Sequence, residues 1–451
     1  MISPADSHLP APFALPATSP ARTVSGDGSP KGGDRRAPSQ DHDELRVLRP
    51  RRAAPADAVR PTRAEVNLAH LRHNLRVLER ALAPSPDASR RASTEAAPGP
   101  RAAIWGVLKA DAYGHGAPAV ARTLERAGIP GLCVALLEEA VELREAGIRV
   151  PILVMGGYYG PRRDGFEEIL ANELIPVVYD AEQVERIAAL VRSEGTKPVG
   201  VHLKVDTGMA RLGVAPDEID EVLEALARYP EVRLDGLMTH LACADGEDLT
   251  PTSEQLRRFA LIEARARAAG LTPRVRHAAN SAAMLRVDEA RFDLVRPGIA
   301  LFGVAPAAGV APELKPVMRV RSEAVALRWI PSGERIGYGH TWQAERRSQV
   351  ATVPMGYADG LSRQLSNRGH ALVRGRRAPI VGTVSMDLTM IDVTDIPGAR
   401  LGDEVVFLGP QEGPLGRDVI TAEEIAEHAG TIPWEVLTSV SRRVPRFYRE
   451  P

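Results

Sequence analysis

The sequence predicts a (β/α)8 barrel followed by a smaller, mostly β domain. Eight short apolar runs follow one another between about residues 102 and 303, with segments of helical period between several of them. From about residue 311 the pattern changes to short alternating strands and turns, as in "RSQVATVPMGYADG", "RRAPIVGTVSMDLTMIDVTD" and "GDEVVFLG". A doubly wound open sheet shares the first pattern, but no Gly-x-Gly-x-x-Gly phosphate turn follows the first run.

Residues 1–61 are rich in Pro, Ala, Ser and Arg and carry neither helix nor strand period, which predicts a disordered arm. The barrel is expected over 62–310. It opens on the helical "LAHLRHNLRVLERAL" and a Pro/Ser/Ala-rich surface insertion over 83–100. Its strands are expected from "AAIWGVLK" (102–109), "GLCVAL" (131–136), "VPILVM" (150–155), "LIPVVY" (174–179), "VGVHLKV" (199–205), "LDGLMTHL" (234–241), "RVRHAAN" (274–280) and "DLVRPGIALFG" (293–303). The β domain is expected over 311–451, with "TAEEIAEHAG" as its one helix.

The chain has 451 residues, 44% of them hydrophobic, enough for a large packed core. A formal charge of −1 argues against nucleic-acid or anionic-membrane partners and favours a small neutral one. No run approaches the roughly 18 apolar residues of a spanning helix, and the N-terminus lacks the charged-then-apolar order of a secretory signal. The two cysteines, Cys133 and Cys243, fall in segments read as buried strands, without framework or ligand spacing. A cytoplasmic protein is therefore expected.

A barrel places its chemistry at the C-terminal ends of its strands, and polar groups mark several of those ends here. Lys109 closes the first, in "WGVLKADAYGHG". Such a lysine is commonly a solvated terminus. Desolvated in an apolar mouth, it is also the neutral amine that imine chemistry requires. Tyr113 and His115 follow in a turn suited to a phosphate. Lys204, Asp206 and Arg211, in "HLKVDTGMARLG", are either a surface ion-pair cluster or part of a site. His240 ends the sixth strand, and His277, Asn280 and Ser281 the seventh. Arg296 ends the eighth, where Gly298 and Ile299 offer backbone N–H groups to an anion. Tyr338 sits between glycines in the second domain. No His-Glu-x-x-His, Cys-x-x-Cys or Gly-x-Ser-x-Gly pattern occurs, so neither a metal site nor a serine nucleophile is expected.

Taken in order, "VLKADAYGHG", "HLKVDTGMARLG", "THLACAD", "HAANSAA", "VRPGIALFG", "GYGHTW", "GYADG" and "VSMD" resemble the alanine racemases, pyridoxal-phosphate enzymes with a barrel and a C-terminal β domain. The resemblance runs from about Thr62 to Tyr448. It implies that Lys109 holds pyridoxal 5'-phosphate and is the base on the D-side of the α-carbon, and that Tyr338, contributed by the second subunit of a homodimer, is the base on the L-side. It further implies that His240 assists Tyr338 and is bonded to Arg296, which faces the pyridine nitrogen. Tyr113, Ser281, Gly298 and Ile299 would take the phosphate, with Asn280 beside them. Arg211 would reach the cofactor's phenolic oxygen and, with the Met386 N–H, the substrate carboxylate, Lys204 matches a lysine carbamylated in some members, and Asp387 and Tyr357 match positions at the entrance or just behind the site. The implied reaction is interconversion of L- and D-alanine, supplying D-alanine for peptidoglycan.

Arg442, in "VSRRVPR", departs from the pattern, since some members carry tyrosine there. Alanine-over-serine selectivity is therefore less firmly implied than the reaction. A broader-specificity small amino-acid racemase is the nearest rival. A non-catalytic pyridoxal-phosphate carrier is the more distant one, and it has no use for Tyr338.

Overall fold

A computed structural model describes residues 59–83, 102–156, 165–310 and 313–450. Nearly all of the expected arm and insertion lie outside the described residues. The chain enters on strand β1 (Arg63–Asn67) and the helix Leu68–Ala81, whose first turn is capped by Asn67 Oδ1 accepting from the Ala69 and His70 N–H groups at 3.0 and 3.1 Å. That helix buries Leu68, Leu71, Leu75 and Leu78, the spacing of one face.

Eight parallel strands then follow: β2 (Ala103–Val107), β3 (Gly131–Val134), β4 (Ile152–Val154), β5 (Ile175–Val178), β6 (Val199–Lys204), β7 (Val232–Met238), β8 (Val275–His277) and β9 (Leu294–Val295). They pair in the order β8-β7-β6-β5-β4-β3-β2-β9. The ring nearly closes between β8 and β9, where Asp293 N–H donates to Arg276 O (3.1 Å) and Arg296 N–H to Ala279 O (2.9 Å). Parallel strands covered on both faces are apolar throughout, as in β3 and β4, where every residue is buried. The expected barrel is thus present, one strand per apolar run.

The second part is mostly β: β10 (Met318–Glu323), β11 (Ala326–Ile330), β12 (Arg335–Ile336), β13 (Trp342–Gln343), β14 (Ser348–Val353), β15 (His370–Val373), β16 (Arg376–Pro379), β17 (Thr389–Asp392), β18 (Glu404–Gly413), β19 (Gly416–Ile420) and β20 (Arg446–Arg449). Its main sheet runs β16-β15-β18-β10-β1-β20, with β19 on β18. The segment expected to open the barrel therefore supplies β1 to the other domain's sheet, antiparallel to β10 and parallel to β20. Charge secures it there: the buried Glu65 carboxylate meets Arg63, Arg319, Arg321 and Arg449 at 2.7–3.1 Å.

Two further expectations are corrected. Besides the helix Ala422–Ala429, the β domain contains the helix Pro433–Ser439, started by its proline. Cys133 lies buried in β3, but Cys243 is only half-buried, because β7 ends at Met238 and the chain turns.

Candidate active site

The end of β2 sets the geometry of the site. After the buried Leu108 the chain turns through Lys109, and Ala110, Asp111, Ala112 and Tyr113 all take left-handed backbone angles, φ +53° to +55°. For L-residues this costs about 1–2 kcal/mol each. The turn is held from several sides. Glu139 Oε1 accepts the Ala110 N–H at 2.6 Å, while Glu139 Oε2 accepts the Ala135 and Leu136 N–H groups at 2.8 and 3.1 Å, tying the end of β2 to the end of β3. Asp111 Oδ1 accepts from Ala117 N–H at 2.7 Å. Gly114 and Gly116 close the turn at φ +78° and +91°, where a Cβ would come within 2.4 Å of Leu437 O and 1.8 Å of the Tyr448 hydroxyl.

His115 does not face an anion. It is fully buried, stacks on Phe302 at 4.4 Å and donates from Nδ1 to the Tyr113 and Ala112 carbonyls at 2.8 and 3.0 Å. Burial lowers its pKa to about 4, so it is a neutral fastener of the turn.

Lys109 looks into a cavity of ≈ 140 Å³ at the mouth of the barrel. Tyr113, His240, Asn280, Ser281, Arg296, Gly298 and Ile299 line it too, so eight of the expected residues converge there. The pKa of Lys109 is lowered, first by burial and then by Arg211, with Glu139 opposing. Lys204 is lowered to about 8 by burial, Arg211 and Arg296. His240 is lowered to about 3 by burial and by the cations Arg296, Arg211, Lys204 and Lys109. Lys109 and Arg296 line the cavity against one carboxylate, Asp245, and Arg211 and Lys204 act on its groups from nearby, a positive balance that favours anions such as a phosphate or a carboxylate.

Ser281 Oγ accepts the Gly298 N–H at 2.9 Å, so that N–H is already engaged and the serine hydroxyl is the donor left to point outward. Asn280 Oδ1 accepts from Ala283 N–H at 3.0 Å and caps the helix Ser281–Arg286. The Tyr113 phenol, its pKa raised chiefly by burial, stays a neutral donor. It reaches so close to Gly298 that a Cβ there would lie 2.2 Å from its oxygen. This glycine-floored cradle, between two hydroxyls and beside a partly desolvated amine, fits a phosphorylated aldehyde.

Arg296 is fully desolvated, 2% exposed. Its guanidinium donates to His277 Nδ1 at 2.7 Å, Thr239 O at 2.9 Å and Ala278 O at 3.2 Å. The implied His240–Arg296 bond is corrected: among the described residues, Arg296 is held by His277 instead. A guanidinium only donates, so His277 Nδ1 is an acceptor and its Nε2–H must point to His202 Nδ1, 2.8 Å away. His277 is thereby a positioning residue, and His202 lies behind it.

The loop after β6 holds Arg211 above the mouth. Asp206 Oδ1 accepts the N–H groups of Gly208, Met209 and Ala210 at 2.8, 2.9 and 3.1 Å, and the Val205–Val214 bridge closes the loop. Asp206 is thus a loop-shaping residue, and Arg211 is exposed.

Tyr338 and Met386 do not reach this cavity. Tyr338 is 73% exposed on the β12–β13 hairpin, and Met386 is 52% exposed. Asp387 pairs with Arg443 at 2.6 Å, and Arg442 beside it is exposed. Tyr357 borders a different cavity of ≈ 360 Å³ in the β domain, away from the lysine. Sequence reasoning missed Glu139, His202, Met155 and Trp434, the last two lining the lysine cavity. Only Glu139 had a local signal, as an acid in the first turn of the helix Leu137–Glu145.

Two family models match nearly the whole described chain: the alanine racemase N-terminal domain over residues 66–306 and its C-terminal domain over 317–448. The chain belongs to the alanine racemase family. An alanine racemase of Sorangium cellulosum is 75% identical over 393 residues, 87% of this chain and 100% of that one. The crystal structure of alanine racemase from the D-cycloserine producer Streptomyces lavendulae superposes with a TM-score of 0.78 at 33% identity, covering 88% of this chain and 98% of that one. The Bartonella henselae alanine racemase, with covalently bound pyridoxal phosphate, gives 0.73 at 30% identity, covering 86% and 99%. The alanine racemase fold thus accounts for both the barrel and the β domain. Among the described residues, no helix is long and apolar enough to cross a membrane.

Proposed function

We propose that this chain racemises alanine with pyridoxal 5'-phosphate bound at Lys109. The observation that carries the reading is the amine of Lys109, its pKa lowered first by burial, in one cavity with Arg296 and the cradle of Tyr113, Ser281 and Gly298. When bound, the cofactor supplies an electron sink that acidifies the substrate α-proton.

The protein groups do the rest. Tyr113 and Ser281 donate to the phosphate, and Ile299 with Gly298 forms its floor. Arg296, fixed by His277, faces the pyridine nitrogen as a permanent cation and disfavours its protonation. Lys109 takes or returns the α-proton on one face, and Tyr338 of a second copy does so on the other, so that exchange between them inverts the centre. An exposed Tyr338 that does not line its own chain's cavity supports a homodimer with shared sites. His240 is neutral and so able to accept a hydrogen bond from that phenol, whose reference pKa near 10 makes it a poor base unaided. Arg211 and the Met386 N–H hold the substrate carboxylate. The amine of Lys204, with a pKa of about 8, is free often enough near neutrality to take up carbon dioxide as a carbamate beside Arg211. The product D-alanine would serve peptidoglycan synthesis in the cytoplasm.

Arg442 favours a second reading, a racemase that also accepts serine, because a guanidinium replaces the tyrosine that crowds the substrate side chain in some members. The test is an enantiomer-resolved assay on the cofactor-loaded protein with L-alanine and L-serine, beside Lys109→Ala. D-alanine formed by wild type and absent from the variant is the expected result. Bound cofactor without racemisation of either substrate would replace this reading with a carrier.

A further inference from the structure

The β domain carries a cluster that the reaction does not use. His370 begins β15, while Glu424 and His428 stand four residues apart on one face of the helix Ala422–Ala429, packed beside it. One ligating atom from each lies within 4.8 Å of the other two. The two imidazole rings are 6.1 Å apart between centroids and tilted by 49°. The His370 ring, which belongs to this cluster, also carries a buried Nδ1 without a hydrogen-bond partner.

The carboxylate is oriented from behind. Arg377 on β16 grips Glu424 with both terminal nitrogens, one to each oxygen, the Nη2–Oε2 bond being 3.0 Å. Arg377 is itself held by Asp418 at 2.9 Å and by Val419 O at 2.9 Å. Each carboxylate oxygen has two acceptor directions, so one guanidinium N–H on each leaves another for an ion. Outer hydrogen bonds of this kind commonly orient ligating carboxylates. The Arg377 charge is offset by Asp418, so it need not repel a cation.

We infer that His370, Glu424 and His428 bind a divalent transition metal of the zinc class, which clamps the helix Ala422–Ala429 to β15. Two imidazoles and one carboxylate suit Zn2+ and its first-row neighbours and disfavour the oxygen-seeking Mg2+ and Ca2+. Four-coordinate zinc needs donor atoms about 3.4 Å apart, so modest rotamer adjustments close the site. None of the three residues lines the lysine cavity, so the ion is structural and not part of the reaction.

The test uses the full-length, cofactor-loaded protein, stripped of metal with a chelator and titrated calorimetrically with ZnCl2. Wild type should take up one Zn2+ per chain and unfold at a higher temperature with it. His428→Ala and His370→Ala should each bind at least tenfold more weakly and lose that thermal shift. No stoichiometric uptake by wild type, or uptake undiminished in both variants, overturns the site. Should the variants fail to fold, Co2+ added to the wild type decides: visible ligand-field bands of a four-coordinate ion support the site, and their absence removes it.

Discussion

Replacing Glu139 with alanine should disable the chain without touching a reacting group. Its carboxylate accepts three backbone N–H groups, two of them from the end of β3 and one from Ala110 next to Lys109. Charge-assisted bonds of this kind are worth about 1.5–3 kcal/mol each when buried, but Ala110 and Leu136 are exposed, so water would recover part of the loss. A net cost of about 2–3 kcal/mol is therefore expected, against about 4–8 kcal/mol of strain in the four left-handed residues that the bonds help to hold. If that loss falls on the turn, cofactor binding weakens by about 30- to 150-fold. The assay is titration of pyridoxal phosphate into apoprotein, followed by the absorbance of the bound cofactor. Glu139→Gln should be intermediate, because its amide retains only one acceptor oxygen. It also removes the charge that raises the Lys109 pKa, so the pH midpoint for cofactor capture should move down. Wild-type cofactor affinity in Glu139→Ala would refute the assignment.

Gly298→Ala places a methyl 2.2 Å from the Tyr113 oxygen, so the phenol must shift and cofactor affinity should fall at least tenfold; equal affinity would exclude the cradle. Arg296→Glu should raise the ratio of transamination to racemisation, read as pyruvate formed per D-alanine, and an unchanged ratio would count against the role given to that cation. With Lys204 near pKa 8, bicarbonate should stimulate activity more as the pH rises through 8, an effect that Lys204→Ala should abolish. His115 and His202 are held near pKa 4 in the folded chain, so on acidification the unfolded chain takes up protons first. Stability should therefore fall as the pH drops from about 6.5 towards 4, seen as a gap between the denaturation midpoints at pH 7 and 5 that narrows in His202→Gln while the other buried histidines keep part of it.

The strands were legible because a parallel barrel strand is covered on both faces and shows as an unbroken apolar run, as "GLCV" and "ILV" do. Lys109, His240, Ser281 and Arg296 were legible because strand ends are where such a fold gathers polar groups. Other features depend on partners distant in sequence. Nothing in "RAEVN" announces that Glu65 will meet three arginines from two other strands and one from two residues back on its own. His202 falls inside a strand and carries no sign that its ring backs His277. The turn after Lys109 ran against local preference, since Ala-Asp-Ala-Tyr contains the best right-handed helix former twice, and only Gly114 and Gly116 hinted otherwise. Tyr338 was found by motif alone, because its own chain leaves it in solvent.

That reverse-handed turn also bears on the order of assembly during synthesis. Its closing glycines rest against Leu437 and Tyr448, and the Gly114 carbonyl accepts from Arg446 Nε at 2.9 Å. A nascent chain exposes Lys109 early, yet one support for its turn, Arg446, follows Gly114 by 332 residues. Capture of the cofactor thus reports that the β domain has been made and docked, and products truncated before Leu437, however much of the barrel they contain, should remain colourless.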